Sequence, residues 1–220
     1  MEPVRIAAAG LAGTLFPPAR GGAPLVVTHL EAEEGAALLA QPGLPPCALL
    51  CAAADWDRDL SPWPAPRAFR GGADFGGGAA AHLSALRALT AAAEAALPAP
   101  PARRCVAGYS LDGLFALWAV FQTADWDRAA SVSGSLWYDG FAAYLEKAAL
   151  PRVPERVYFS LGDREAQTKN ARLARVEQCT AEAERLLART GAETVFEHNA
   201  GGHFADVPAR MARALRWLLR

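Results

Sequence analysis

The sequence predicts an α/β fold built on a mostly parallel central sheet, from three observations. Short apolar runs bounded by turn residues alternate with longer stretches of helical periodicity along the whole chain. One such pair, the run ending at Ala107 and the run from Leu114 to Val120, is joined by the glycine-flanked corner Gly108-Tyr109-Ser110-Leu111-Asp112-Gly113. At 220 residues the chain can bury one sizeable core and is short for two, so a single domain over 1–220 is expected.

The elements follow in order. Val4 to Ala9 reads as an edge strand, and Gly10, Gly13, Pro17, Pro18, Gly21 and Gly22 as a loop-rich connection. Leu25 to Leu30 is a strand, Glu31 to Ala40 a short helix with acidic residues in its first turn, and Cys47 to Ala53 a second buried strand. Asp55 to Gly78 is a long loop carrying three prolines, Trp56 and Trp63. Its tryptophans and its scarcity of Ser, Lys and Glu argue against disorder, leaving a pocket rim or a loop pinned by core tryptophans. Leu83, Leu86, Leu89, Ala93 and Leu97 then mark a helix closed by Pro98. Beyond the Ser110 corner and its helix, Arg128 to Ser133 is a strand, Gly134 to Asp139 a loop and the stretch through Phe141, Tyr144 and Leu145 a helix. Arg156 to Leu161 is a strand running into Gly162-Asp163-Arg164-Glu165, and Lys169 to Arg189 an amphipathic helix stopped at Gly191. Glu193 to Glu197 is the last strand, Asn199 to Phe204 a glycine-rich loop and Val207 to Leu219 the terminal helix.

Composition narrows the function classes. With 52% hydrophobic and 20% charged residues and a formal net charge of -1, nothing favours nucleic acid or an anionic membrane, so a small-molecule partner is expected. No run approaches membrane-spanning length, and the start lacks a basic, apolar and cleavable pattern; a cytoplasmic protein is the expectation. Cys47, Cys51, Cys105 and Cys179 show no metal-type pairing and read as buried free thiols. No cofactor or metal is expected, and the oligomeric state is left open.

The residues able to do chemistry fall at the carboxyl ends of strands, where open α/β sheets bind ligands. Ser110 stands on a strand-to-helix corner that resembles the G-x-S-x-G nucleophile elbow, except that the second glycine is displaced by Asp112 to Gly113. A serine hydroxyl needs a base, and His203, in the turn Ala200-Gly201-Gly202-His203-Phe204 directly after the last strand, has the setting for one. His29, His82 and His198 lack that combination, His198 coming nearest to it. The turn after the Arg156 strand offers two orienting carboxylates, Glu165 and Asp163, of which Glu165 is preferred. Serine, acid, histidine is the chain order of α/β-hydrolases. The backbone N–H groups of Leu111, next to the nucleophile, and of Leu30, after the Leu25 strand, occupy the expected oxyanion positions.

Several further segments carry a resemblance over nearly the whole chain. They are Trp56 with Asp59-Leu60-Ser61-Pro62-Trp63, Gly108 to Leu111 with Gly113 to Leu117, Ser131 to Trp137, Ser160 to Glu165 with Thr168-Lys169-Asn170, and Gly201 to Phe204. In these the chain resembles the esterase family of α/β-hydrolases related to the enterochelin (siderophore) esterases and the IroE-like proteins. The resemblance implies an α/β-hydrolase fold and a serine ester hydrolase, with Ser110 as nucleophile, His203 as base and Glu165 as acid, although some relatives work with a serine-histidine pair alone. It implies siderophore-like or aryl esters as substrates, with Trp63, Trp137 and Tyr138 lining an aromatic pocket; core packing explains those three residues nearly as well. It also implies that this short chain lacks the extra N-terminal domain of the larger enterochelin esterases. Asp112 departs from the Gly or Ala usual in the family and puts negative charge beside the elbow unless it points away or pairs with Arg58, Arg103 or Arg104. That departure motivates an alternative, a catalytically weakened hydrolase that binds a ligand or partner without efficient turnover.

Overall fold

The computed structural model describes residues 2–68 and 72–220. Strand β1 (Val4–Ala8) turns through Ala9 and Gly10, both at positive φ, into an antiparallel β2 (Leu11–Phe16). The sequence reading placed a loop over β2. Gly13 explains the difference: a Cβ there would lie 2.7 Å from the Cys51 carbonyl oxygen, so its glycine serves close strand pairing. Next come β3 (Leu25–Thr28), α1 (Ala32–Leu39) and β4 (Ala48–Ala52). The long connection contains a short α2 (Trp56–Asp59) and a two-stranded ribbon of β5 (Pro64–Ala65) and β6 (Phe75–Gly76); residues 69–71 of the expected loop lie outside the described residues. Then follow α3 (Ala79–Ala95), β7 (Arg104–Tyr109), α4 (Leu111–Val120), β8 (Arg128–Val132), α5 (Phe141–Lys147) and β9 (Arg156–Gly162). A 3-10 turn, Leu173–Arg175, precedes α6 (Val176–Arg189), so this helix starts later than its periodicity suggests. The chain closes with β10 (Glu193–Asn199) and α7 (Val207–Leu218).

Eight strands form one sheet in the order β1-β2-β4-β3-β7-β8-β9-β10. The pairs from β4 to β10 are parallel; β2 runs against them, and β1, antiparallel to β2, points the same way as the rest. Because strand side chains alternate between faces, the strands feed two cores. Leu25, Val27, Leu50, Val106, Val157 and Phe159 pack with α3, α4 and α6 on one face; Val26, Leu49, Cys105, Ala130 and Tyr158 pack with Leu38 of α1 and Leu215 of α7 on the other. All ten residues of α4 are buried, as expected of a helix that is apolar on nearly every side. Burial pushes the Cys47, Cys51 and Cys105 thiols up to about 12, which leaves them inert as nucleophiles. No helix among the described residues is long and apolar enough to cross a membrane.

The strand order reverses beside β3. From β3 the chain moves outward to β4, then returns to lay β7 on β3's other side. Such a switch point opens a crevice at the strand carboxyl ends, and Leu30 and Ser110 follow the two strands that form it.

Candidate active site

Ser110 adopts φ 59° and ψ -120° between β7 and α4, a conformation that L-residues avoid and that turns the side chain out of the corner. The corner closes because Gly108 lacks a Cβ, which would lie 2.3 Å from the backbone carbonyl carbon of Asp112. Ser133, at the end of β8, is also at positive φ (47°). Two of the four non-glycine residues with positive φ among those described therefore belong to this site, and strain of this kind gathers at functional sites.

The three residues read as nucleophile, base and acid come together. His203 Nε2 lies 2.9 Å from Ser110 Oγ, and His203 Nδ1 lies 2.7 Å from Glu165 Oε2. Asp163, the other carboxylate of that turn, is exposed and accepts the Gly201 N–H at 2.8 Å, so it braces the histidine loop rather than the imidazole. His198 lies on β10 against Glu177, 3.2 Å away. The second oxygen of Glu165 accepts the Gly162 N–H (2.6 Å), the Ser133 hydroxyl (2.7 Å) and Arg210 Nη1 (3.0 Å). Burial pushes the Glu165 carboxyl up, but hydrogen bonds from His203, Gly162 and Ser133 outweigh it and hold the group below its ordinary range. Glu165 is thus a carboxylate at neutral pH, able to fix the imidazole tautomer and to stabilise an imidazolium.

Two clefts meet at Ser110. The first contains His203 and Glu165, the second Leu111, and Ser135 and Trp137 border both. Leu111 is the first residue of α4, where free N–H groups and the helix dipole favour negative charge. Leu30 lines a neighbouring cavity that shares Trp56 with the second cleft. Trp63 and Tyr138 border neither cleft, and the pocket-wall expectation for them gives way to packing. Trp63 Nε1 donates to the Asp139 carbonyl at 2.9 Å, the Tyr138 hydroxyl donates to the Trp63 carbonyl at 2.5 Å, and their rings lie 5.9 Å apart. With its polar atom satisfied by backbone, each aromatic ring is free to serve the core.

Asp112 points away from Ser110 and meets none of Arg58, Arg103 or Arg104. Buried at the start of α4, it accepts the Thr28 hydroxyl (3.2 Å), the His29 N–H (3.0 Å) and His29 Nδ1 (2.6 Å). The far side of that imidazole lies 2.8 Å from His82 Nε2, and His82 Nδ1 is 3.8 Å from Asp59. The result is a buried line of Asp112, His29, His82 and Asp59 tying α4, the loop after β3, α3 and α2. Burial pushes the His82 imidazole down to about 4, His29 adds to the shift, Asp59 and Asp112 oppose it, and Arg58 reinforces it. An unfolded chain binds this proton below the ordinary value of 6.5, whereas the folded one resists it to about 4. Stability is therefore expected to fall as pH drops through that window, and less steeply in His82→Gln. Urea midpoints at neutral pH and near the lower edge of the window check this; equal losses in both proteins would contradict it.

No protein-family model matches the sequence, and no curated protein matches it. Solved structures do. The chain aligns over 99% of its length with 79% of an IroE-like serine hydrolase from Shewanella oneidensis (TM-score 0.78, 13% identity). It aligns over 99% with 95% of the siderophore hydrolase EstB from Aspergillus nidulans (TM-score 0.71, 18%) and over 98% with 58% of the enterobactin esterase FES from Shigella flexneri (TM-score 0.69, 16%). The chain has the fold of these esterases.

Within this esterase fold, sequence reasoning missed Arg210. Its side chain is buried on α7 and donates to Glu165, to Ser133 Oγ and Tyr109 Oη (both 3.1 Å), and to the Ala200 (3.0 Å) and Gly202 (2.9 Å) carbonyls. The Tyr109 hydroxyl in turn donates to the His203 carbonyl. One signal was present: Arg210 sits on the same helical stripe as Val207, Met211, Ala214 and Leu218, and an arginine on an apolar stripe needs a partner.

Proposed function

We propose that the protein is a serine ester hydrolase of the carboxylesterase type, working through an acyl-enzyme on Ser110. The observation that carries this reading is the unbroken line Ser110 Oγ, His203 Nε2, His203 Nδ1, Glu165 Oε2, with contacts of 2.9 and 2.7 Å. His203 takes the Ser110 proton as Oγ bonds to the ester carbon, and the carbonyl electrons move onto oxygen, facing the Leu111 N–H and, on topological grounds, that of Leu30. Collapse breaks the bond to the alcohol oxygen, which receives the proton from His203 Nε2. Water, deprotonated by the same nitrogen, then releases the acid and restores Ser110. Glu165 stays ionised throughout and orients the imidazole.

The substrate is a small-molecule ester, and the siderophore and enterobactin esterases that share the fold make siderophore-like or aryl esters the first class to try. A cytoplasmic setting is in keeping with four free cysteines. The weakened-hydrolase alternative rested on Asp112, whose carboxylate is committed to Thr28 and His29. A fluorophosphonate probe is expected to label the wild-type protein and leave Ser110→Ala unlabelled. A folded wild type that takes no label would sink the esterase reading.

A further inference from the structure

Four large apolar side chains are exposed among the described residues, and two of them, Phe204 and Trp56, stand on the two clefts that meet at Ser110. Phe204 is 85% exposed and borders the His203 cleft together with Leu173 and Val176; apart from the hydroxyls and Glu165–His203 themselves, that cleft is apolar. Trp56, 42% exposed, borders the Leu111 cleft, whose wall adds Phe75 and the charged residues Asp57 and Arg67. Exposed apolar groups beside a reactive centre mark surface that a ligand covers.

We propose that the two clefts divide the ester: the His203 cleft holds the alcohol, which is an uncharged alkyl alcohol, and the Leu111 cleft holds the acyl group. This assignment rests on the esterase reading above. The chemistry orients it. His203 Nε2 must hand its proton to the departing alcohol oxygen, so the alcohol lies on the histidine side of the tetrahedral carbon. The acyl group, still bonded to Ser110 Oγ after the alcohol leaves, takes the other side, beneath Leu111. The alcohol half meets Leu173, Val176 and Phe204, which offer it no polar partner, while the acyl half meets flat aromatic surface and groups able to pair with polar substituents.

Because the alcohol departs before deacylation, the two halves separate kinetically. Acetate esters of methyl to hexyl alcohols, followed by acid release, vary only the alcohol; p-nitrophenyl acetate to hexanoate vary only the acyl group. In the wild type kcat/KM is expected to rise about fourfold per added alcohol methylene until the apolar cleft is filled. Phe204→Ala is expected to flatten the alcohol-length series more than the acyl-length series, and Trp56→Ala the acyl-length series more than the alcohol-length series, both read as slopes so that a general loss of rate cancels. The reverse pattern, or alcohol-length dependence that ignores Phe204 in a turning-over enzyme, overturns the assignment alone. A folded wild type that forms no acyl-enzyme with either series overturns the esterase reading and the assignment together.

Discussion

Ser110→Ala is expected to lower kcat for p-nitrophenyl acetate by about a hundred-thousand- to a millionfold, with His203→Ala added to it costing almost nothing further. The two side chains act as one unit: without Oγ there is no proton for Nε2, 2.9 Å away, to take. Whatever remains comes from backbone N–H groups and binding, which neither change touches. Glu165→Ala is expected to cost about ten-thousandfold, since an unheld imidazole is free to take the wrong tautomer. Asp163→Ala removes only the brace on the Gly201 N–H and should cost far less. Steady-state kinetics on the five proteins decide the matter. Multiplicative losses in the Ser110 and His203 double variant, or equal losses at Glu165 and Asp163, would count against the roles given to these residues.

Asp112→Gly, which restores the residue usual in the resembled family, is expected to damage this protein. The change strands three buried donors: the Thr28 hydroxyl, the His29 N–H and His29 Nδ1. A buried donor left without its acceptor costs about 1–3 kcal/mol, so three of them take a large share of the 5–15 kcal/mol typical of a whole domain. The urea midpoint should fall with little change in slope. Asp112→Asn retains one carbonyl acceptor and should lose less, about 1–2 kcal/mol. Activity should fall as well, because the His29 N–H that Asp112 holds immediately precedes Leu30, and a loosened loop misplaces that donor. An Asp112→Gly protein as stable and active as wild type would contradict the bracing role.

What the sequence made legible was local. The Ser110 corner, the strand before it and the apolar helix after it lie within one short stretch, and the chain order of Ser110, Glu165 and His203 follows from reading along the chain. What it hid was non-local. Glycine-rich composition read as a loop at Leu11–Phe16, where Gly13 instead pairs β2 tightly to β4. Asp112 finds its partner 83 residues away in His29, and no charge pattern near the elbow points there. Trp63 and Tyr138 look like pocket aromatics in sequence, and only the carbonyls that receive their polar hydrogens reveal them as core. Arg210 could have been found, because a charge on an apolar stripe is a local anomaly; its five partners could not.

Arg210 also ties the site to a helix that contributes no reacting atom. Its guanidinium gathers Glu165, Ser133, Tyr109 and the carbonyls on either side of Gly201 into one bundle, and it rides on α7. β7 and α4 build the Ser110 corner by themselves, whereas the histidine loop and its acid are gathered through α7. A change that loosens this helix would therefore leave the nucleophile in place and disconnect what activates it.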